Sequence, residues 1–580
     1  MWARALVFCA AAAVGIACCV TAPAIPTAPR TTTNVEELFA FARLYGYVRY
    51  FHPSDEAAAT DWDAFAVHGA RIVVAGTDRD ALQMSLVQLF APIAPSIAIH
   101  LSESAAPVLP SATSGVAVKW QHVGFSFGRD PSPLFHSVRI GTGSAKPLFD
   151  DRMPQDATIR ASLGAGLSCS VPMVVRASDG RTVPAGSKHA LITADFDPAV
   201  PAVRHAAVVI AWNVLQHFYP YFDVLGTDWE TVLETTLVDV LDDQDATDLE
   251  HTLQRMGAAL DDAHTGVRGP GPAQRPIPAR MARVGDRIVV VTATHESGLQ
   301  RSDRIVQIDG IPIETALREA SGRVSGSPSR KDIVLLWYGS ITLGAEGSSA
   351  RVGIERGGRA STIEVARGSD PGLDLPSDPI RSLGDGLLYV DLRRVQWSEV
   401  ETKVLAARGL VFDARGGALD WIPLLGHLVR TPGPGSRGFV RHVVQPDRAG
   451  PFEGTSYDWS DLERLEPKLA TPVTFLVDAR SMSSDETLLT LVQAHGVGVL
   501  IGEPSAGANG SFVAIPLPGG FSLSFTGEKV TGPRGGRLHA VGLQPDVPAP
   551  RTLADVEAGR DSALERARQH LVDAIASPAG

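Results

Sequence analysis

Cysteine is nearly missing from the body of this 580-residue chain: Cys9, Cys18 and Cys19 cluster at the N-terminus and Cys169 stands alone beyond them. One thiol supports neither a disulfide framework nor a thiolate metal site. Positive charge is short as well. Lys and Arg number 52 against 64 Asp and Glu, a formal charge of −12, and no basic run interrupts the pattern. Nucleic acid is therefore not an expected partner, because phosphate neutralisation needs a basic face. The chain also lacks a His-Glu-x-x-His metal motif, a Gly-Lys-Ser/Thr phosphate loop and a dinucleotide fingerprint, so no metal or cofactor is expected. Beyond the N-terminus no apolar run reaches the roughly 20 residues that a membrane-spanning helix needs.

What is present describes a folded, multidomain protein. Apolar residues make up 44% and charged residues 20%, a globular composition, and the length implies about three or four domains. Arg4 followed by the apolar stretch Ala5 to Ala17 reads as a signal peptide over residues 1–24, with an Ala-Pro-Ala exit at Ala22 to Ala24. A second reading of the same stretch takes Gly15-Ile16-Ala17-Cys18 as a lipoprotein box, with Cys18 lipidated. Either implies export, to the periplasm or cell surface, and the second implies a lipid anchor.

An internal repeat follows. Tyr50-Phe51-His52-Pro53 precedes Thr60-Asp61-Trp62, and His217-Phe218-Tyr219-Pro220 precedes Thr227-Asp228-Trp229 at the same spacing. Leu38, Phe41, Tyr45 and Val48 form one helical apolar face, and Val208, Trp212, Leu215 and Tyr219 another. These read as two related helical hairpins that pack through their aromatics, over residues 31–105 and 200–268, with no chemistry assigned. Asp78, Asp80, Asp245 and Asp248 read as helix-start residues. Between the copies, residues 106–199 alternate apolar and polar positions and predict a small β-rich domain with strands at Val116 to Val118 and Val138 to Ile140. Residues 280–368 predict strands with one short helix. From residue 380 to 570 short apolar strands alternate with helices, which implies a largely parallel sheet covered on both faces.

In that last region Asp478-Ala479-Arg480-Ser481-Met482-Ser483-Ser484-Asp485-Glu486 joins the strand at Val473 to Val477 to a helix. Ser483 admits two readings. Ser-x-x-Glu ahead of an apolar helix is an ordinary capping box; a serine on a strand–helix turn is also where a nucleophile projects beside free helix N–H groups. Other segments bear on the choice. The strand Leu410 to Phe412 runs into Asp413-Ala414-Arg415-Gly416-Gly417, and Gly502-Glu503-Pro504-Ser505-Ala506-Gly507 and Gly542-Leu543-Gln544-Pro545-Asp546-Val547 follow. In type and order these motifs resemble those of the tail-specific, C-terminal-processing serine peptidases, over residues 200–570. Gly298 to Gly310, with Asp303 before a strand that ends in Asp309-Gly310, resembles the PDZ signature of bacterial proteases, Ser302 replacing the usual Gly.

The resemblance implies a multidomain α/β protein with a crotonase/ClpP-like α/β catalytic core, a PDZ-like β domain, helical N-terminal repeats and a small β domain. It implies Ser483 as nucleophile, and oxyanion donors on Ser484 and on Gly416 or Gly417. It implies a polypeptide substrate, engaged at its C-terminus by the PDZ-like domain. Where the lysine-dyad members carry their base this chain has Ala508, and no Lys occurs between Ser483 and Glu528. The tricorn-like branch instead uses an upstream histidine, matched here by His264 in Asp262-Ala263-His264-Thr265; an imidazole is a competent base near neutrality. Where that branch carries an orienting Glu stands His539, and Glu528 and Asp546 are nearby carboxylates, so the third member stays open. Two alternatives stand beside the peptidase: a catalytically inactive protein that binds a peptide or hydrophobic ligand on the same fold, and a serine esterase or amidase.

Overall fold

The computed structural model describes residues 32–576 apart from 77, 110–113, 127–133, 144, 188–193, 369–377, 432, 434, 450–453, 459–461 and 533–534. The leader, with Cys18, and most of the segment 368–379 lie outside the described residues.

Each repeat begins with a long helix, Thr32–Phe51 and Pro201–Phe218. In each, Thr-Asp-Trp starts a later helix: Asp61 caps Trp62–Val74, which follows the short helix Asp55–Ala59, by accepting the Ala64 N–H, and Asp228 caps Trp229–Asp242 through the Glu230 N–H. Asp78 and Asp245 cap Arg79–Phe90 and Ala246–Ala258 in the same way. Within the second copy Trp212 and Trp229 each donate an indole N–H to the other's carbonyl, at 2.8 and 3.3 Å. Between the copies, Tyr50 meets Phe218 edge-on at 5.2 Å and Phe51 meets His217 at 5.1 Å.

The two helical copies and the intervening strands share one hydrophobic core, and part of the C-terminal region joins it: Val440, Val443, Val513, Ile515, Leu517 and Phe525 lie in the same cluster as Phe41 and Trp212. The reason is strand pairing. Val116–Val123, which extends the expected strand, pairs with His136–Ile140, Val175–Ser178 and Arg437–Val443 in a seven-stranded sheet that also takes in Lys529–Thr531. A domain contiguous at 106–199 is thus completed by strands far downstream.

Residues 279–366 build a six-stranded antiparallel sheet with the helix Ile313–Ser321 packed on it. Ser302 adopts a left-handed φ of 65° at the turn where the PDZ signature has Gly.

The C-terminal sheet has six strands. Ile380–Ser382 is an antiparallel edge; Leu387–Asp391, Gly409–Asp413, Val473–Val477, Val499–Gly502 and Val547–Pro548 follow in parallel. Alternate residues serve opposite faces. Leu410, Phe412, Phe475 and Val477 pack with the helices Trp397–Ala406, Trp421–Leu428 and Ser484–His495. Val411, Leu476 and Ile501 pack with Ser562–Ala576 on the other face. Both faces are covered, which explains the unbroken apolar runs of these strands. Phe412 and Phe475 are fully buried with ring centroids 5.4 Å apart. Phe475→Ala is expected to cost about 3–5 kcal/mol, read as a lower urea midpoint for the unfolding of this layer.

Candidate active site

The strand Val473–Val477 ends in a turn held by charge. Asp478 takes the Arg480 guanidinium side-on at 2.7 and 3.0 Å and the Arg480 backbone N–H at 2.8 Å. Burial opposes the charge on Asp478, but Arg480 and Arg415 outweigh it and hold the carboxyl down at about 2. Ser481 donates to the Ala414 carbonyl at 2.8 Å, tying this turn to the neighbouring strand end.

Ser483 then takes φ 60° and ψ −117°, positive-φ backbone in which a non-glycine residue is strained. Its N–H donates to the Ala508 carbonyl at 2.8 Å. Its hydroxyl makes no capping bond to the helix it precedes. Glu486 does not complete a capping box either: its buried carboxylate accepts from Ser505 Oγ at 2.5 Å, Gly507 N–H at 2.8 Å and Ala508 N–H at 2.9 Å. The Ser483 hydroxyl is spent on no cap and borders a cavity of about 160 Å³, lined also by Ser436, Ser484, Thr487, Asn509 and Ser511.

Across from it, Arg415 grips Asp413 and Asp561 at 2.7 Å each, and Gly416 and Gly417 follow at φ 103° and 109°. These values favour glycine. The N–H groups of this loop face Asp485, on the first turn of the Ser483 helix, which accepts from Gly417 at 2.9 Å and Ala418 at 2.6 Å. Burial raises the Asp485 carboxyl to about 6, against the pull of those N–H groups. The Ser484 N–H is the first of the helix Ser484–His495 and has no partner within that helix.

His264 follows the helix Ala246–Ala258 and precedes the strand Gly266–Arg268, which pairs with Phe521–Thr526. That pairing sets the imidazole beside the strand end. His264 Nδ1 lies 2.8 Å from Thr526 Oγ1, and the ring stacks on Phe512 with centroids 6.2 Å apart. Phe512 adjoins Ser511 of the Ser483 cavity. Burial lowers the imidazole's pKa below its ordinary value; Asp262 partly restores it and Arg330 pushes the other way.

Neither proposed third member reaches His264 by a hydrogen bond. Glu528 is fully buried and accepts the Ser511 N–H at 3.0 Å, behind the cavity wall. His539 stacks on Tyr221 at 4.2 Å and turns Nε2 to the Leu260 carbonyl at 3.1 Å. Asp546 accepts the Leu500 N–H at 2.8 Å. The partners found instead are Thr526 and, behind it, Asp262. Asp262 sits two residues before the histidine and was visible as part of the motif. Thr526 carried no sequence signal, because only the strand pairing brings it near. Among the described residues no group of His, Cys, Asp or Glu side chains is arranged to hold a metal ion.

Residues 403–549 match the sequence model of peptidase family S41. No curated protein sequence matches the chain. Among solved structures, mature CPAF bound to lactacystin is similar at a TM-score of 0.52 and 14% identity, over 64% of this chain and 99% of that one. Unliganded mature CPAF gives the same score and identity, over 64% and 98%. At this identity the likeness speaks to the fold. The photosystem II D1 C-terminal processing protease is 21% identical over 62% of this chain and 98% of its own, with a TM-score of 0.35. The molecule is a serine-type peptidase. The match to peptidase family S41 lies within the C-terminal α/β region.

Glu486 tests the architecture of the turn. Glu486→Gln would set an amide donor against N–H groups that now meet a carboxylate, and is expected to cost about 1–3 kcal/mol in chemical denaturation.

Proposed function

We propose that the protein is an exported tail-specific endopeptidase in which Ser483 Oγ attacks the substrate carbonyl and His264 Nε2 accepts its proton. The imidazolium then protonates the leaving amine, and the acyl-enzyme is released by water activated at the same nitrogen. The Ser484 N–H is one oxyanion donor. The Gly416–Gly417 turn is the other, on the reading that Asp485 gives up its hold when substrate enters. The observation that carries this is the strained backbone at Ser483, with its hydroxyl spent on no cap and opening onto a cavity. Glu528 and His539 are left with structural roles.

The PDZ-like domain would present a polypeptide C-terminus by strand addition. It already touches the turns around the site: Ser325 Oγ accepts the Asp262 N–H at 2.9 Å, Ser327 donates to the Ala506 carbonyl at 2.9 Å, and Arg330 donates to the Ala479 carbonyl at 3.2 Å. Export rests on residues 1–24, and a lipid anchor on Cys18 is the accompanying proposal; palmitate labelling abolished by Cys18→Ala would support it.

A fluorophosphonate probe is expected to label the wild type and not Ser483→Ala. Because burial depresses the His264 pKa, labelling and kcat/KM are expected to hold as pH falls to about 6.5 and to decline below it, as the imidazole takes up a proton. Absence of labelling from about pH 6 to 9, where an imidazole base works, would instead favour the inactive binding protein. Faster turnover of esters than of peptides would favour the esterase.

The cavity beside Ser483 is small and lined by Ser436, Thr487, Asn509 and Ser511. If it receives the side chain preceding the scissile bond, Ala, Ser, Thr or Asn there is expected to exceed Phe or Trp by about 10-fold or more in kcat/KM, measurable with a peptide library.

A further inference from the structure

We propose that Thr526 and Asp262 are the positioning pair of His264, setting its tautomer and steadying its charge. The inference rests on the reading of Ser483 and His264 as nucleophile and base.

The hydrogen-bond directions follow from donor arithmetic. The Asp262 carboxylate is fully buried. It accepts the His264 N–H at 3.0 Å, the Thr526 N–H at 2.8 Å, the Thr265 hydroxyl at 3.2 Å and the Thr526 hydroxyl at 2.7 Å. A hydroxyl has a single proton. Thr526 gives that proton to Asp262, so toward the histidine it offers only a lone pair. The 2.8 Å contact from His264 Nδ1 to Thr526 Oγ1 then requires the proton to sit on Nδ1. Nε2 is left bare, which is the state a general base needs.

Asp262 Oδ1 lies 4.0 Å from His264 Nδ1, too far for a direct hydrogen bond. Its influence on the ring's orientation passes through the threonine. When Nε2 takes the serine proton, Nδ1 keeps its own. The imidazolium charge is met by the Thr526 lone pair and by the Asp262 carboxylate behind it, and no proton passes to Asp262. The other charged group that faces the ring is Arg330, which disfavours the imidazolium; the Phe512 ring lies roughly parallel to it with centroids 6.2 Å apart. The strand pairing Gly266 with Ser524 fixes the backbone on which all three side chains stand.

The test uses the full chain labelled with ¹⁵N-histidine. The long-range ¹H–¹⁵N signal of His264, identified by its loss in His264→Gln, is expected to show an Nδ1–H imidazole in the wild type. In Thr526→Val, which keeps the shape and removes the hydroxyl, the signal is expected to move toward the Nε2–H form. In the same variant kcat for peptide cleavage is expected to fall about 10- to 100-fold with little change in KM. The acid limb is expected to shift to lower pH, since the imidazolium has lost an acceptor. Thr526→Ser is expected to retain the tautomer, the rate and the limb. An Nε2–H imidazole in the wild type would overturn the proposal, as would a Thr526→Val enzyme with wild-type tautomer, rate and pH limb. The wild-type spectrum decides the tautomer even if Thr526→Val does not fold. Failure of the serine-peptidase reading has a separate signature, a fluorophosphonate signal unchanged by Ser483→Ala, which leaves the spectrum free to report on the relay.

Discussion

The pairing of Gly266–Arg268 with Phe521–Thr526 is the constraint on which the site depends. It is a short antiparallel contact between segments on either side of the antiparallel sheet of residues 279–366 and most of the C-terminal parallel sheet. Without it His264 would hang from the end of a helical repeat with no fixed relation to Ser483. With it, the imidazole lies beside Thr526 and near Phe512, the residue that follows Ser511 of the Ser483 cavity. The edge-to-edge hydrogen bonds of a strand pair supply a positional precision that a loop alone does not.

A second theme is the use of buried carboxylates as clamps on backbone. Asp478, Glu486, Asp485 and Asp262 each draw in N–H groups of adjacent turns. A buried carboxylate is costly unless it is satisfied in this way, so each turn is pulled into the one arrangement that satisfies it. The strain at Ser483 persists because Ala508, held by Glu486, fixes the serine's own N–H. Asp485 clamps the same glycine turn that the proposed chemistry needs. Burial raises its carboxyl, as it raises that of Glu486.

The sequence made much of the fold legible because the signals were periodic or local. The parallel strands at Leu387, Leu410 and Val473 are short apolar runs between amphipathic helices, and they lie within a residue or two of where the pattern puts them. The two Thr-Asp-Trp motifs are helix caps because Asp accepts N–H groups wherever it precedes a helix. What could not be read was long-range pairing. Nothing in Val116–Val123 announces Arg437–Val443 as its neighbour, and nothing near Thr526 announces Asp262. The local pattern of a capping box at Ser483 is overridden by tertiary structure, since Glu486 accepts from Ser505, Gly507 and Ala508 instead. Thr526, 2.8 Å from His264 Nδ1, carries no local signal for the same reason.

The sheet that begins at Val116 is not complete until Lys529–Thr531 has joined it, through Arg437–Val443. A chain that emerges N-terminus first therefore waits, its early half unable to close its core, until nearly all of its length is available. The strand that places the histidine waits for the same late segment. Timing is thereby built into topology: a protease able to cut polypeptides has no assembled cutting site while it is itself an unfinished polypeptide.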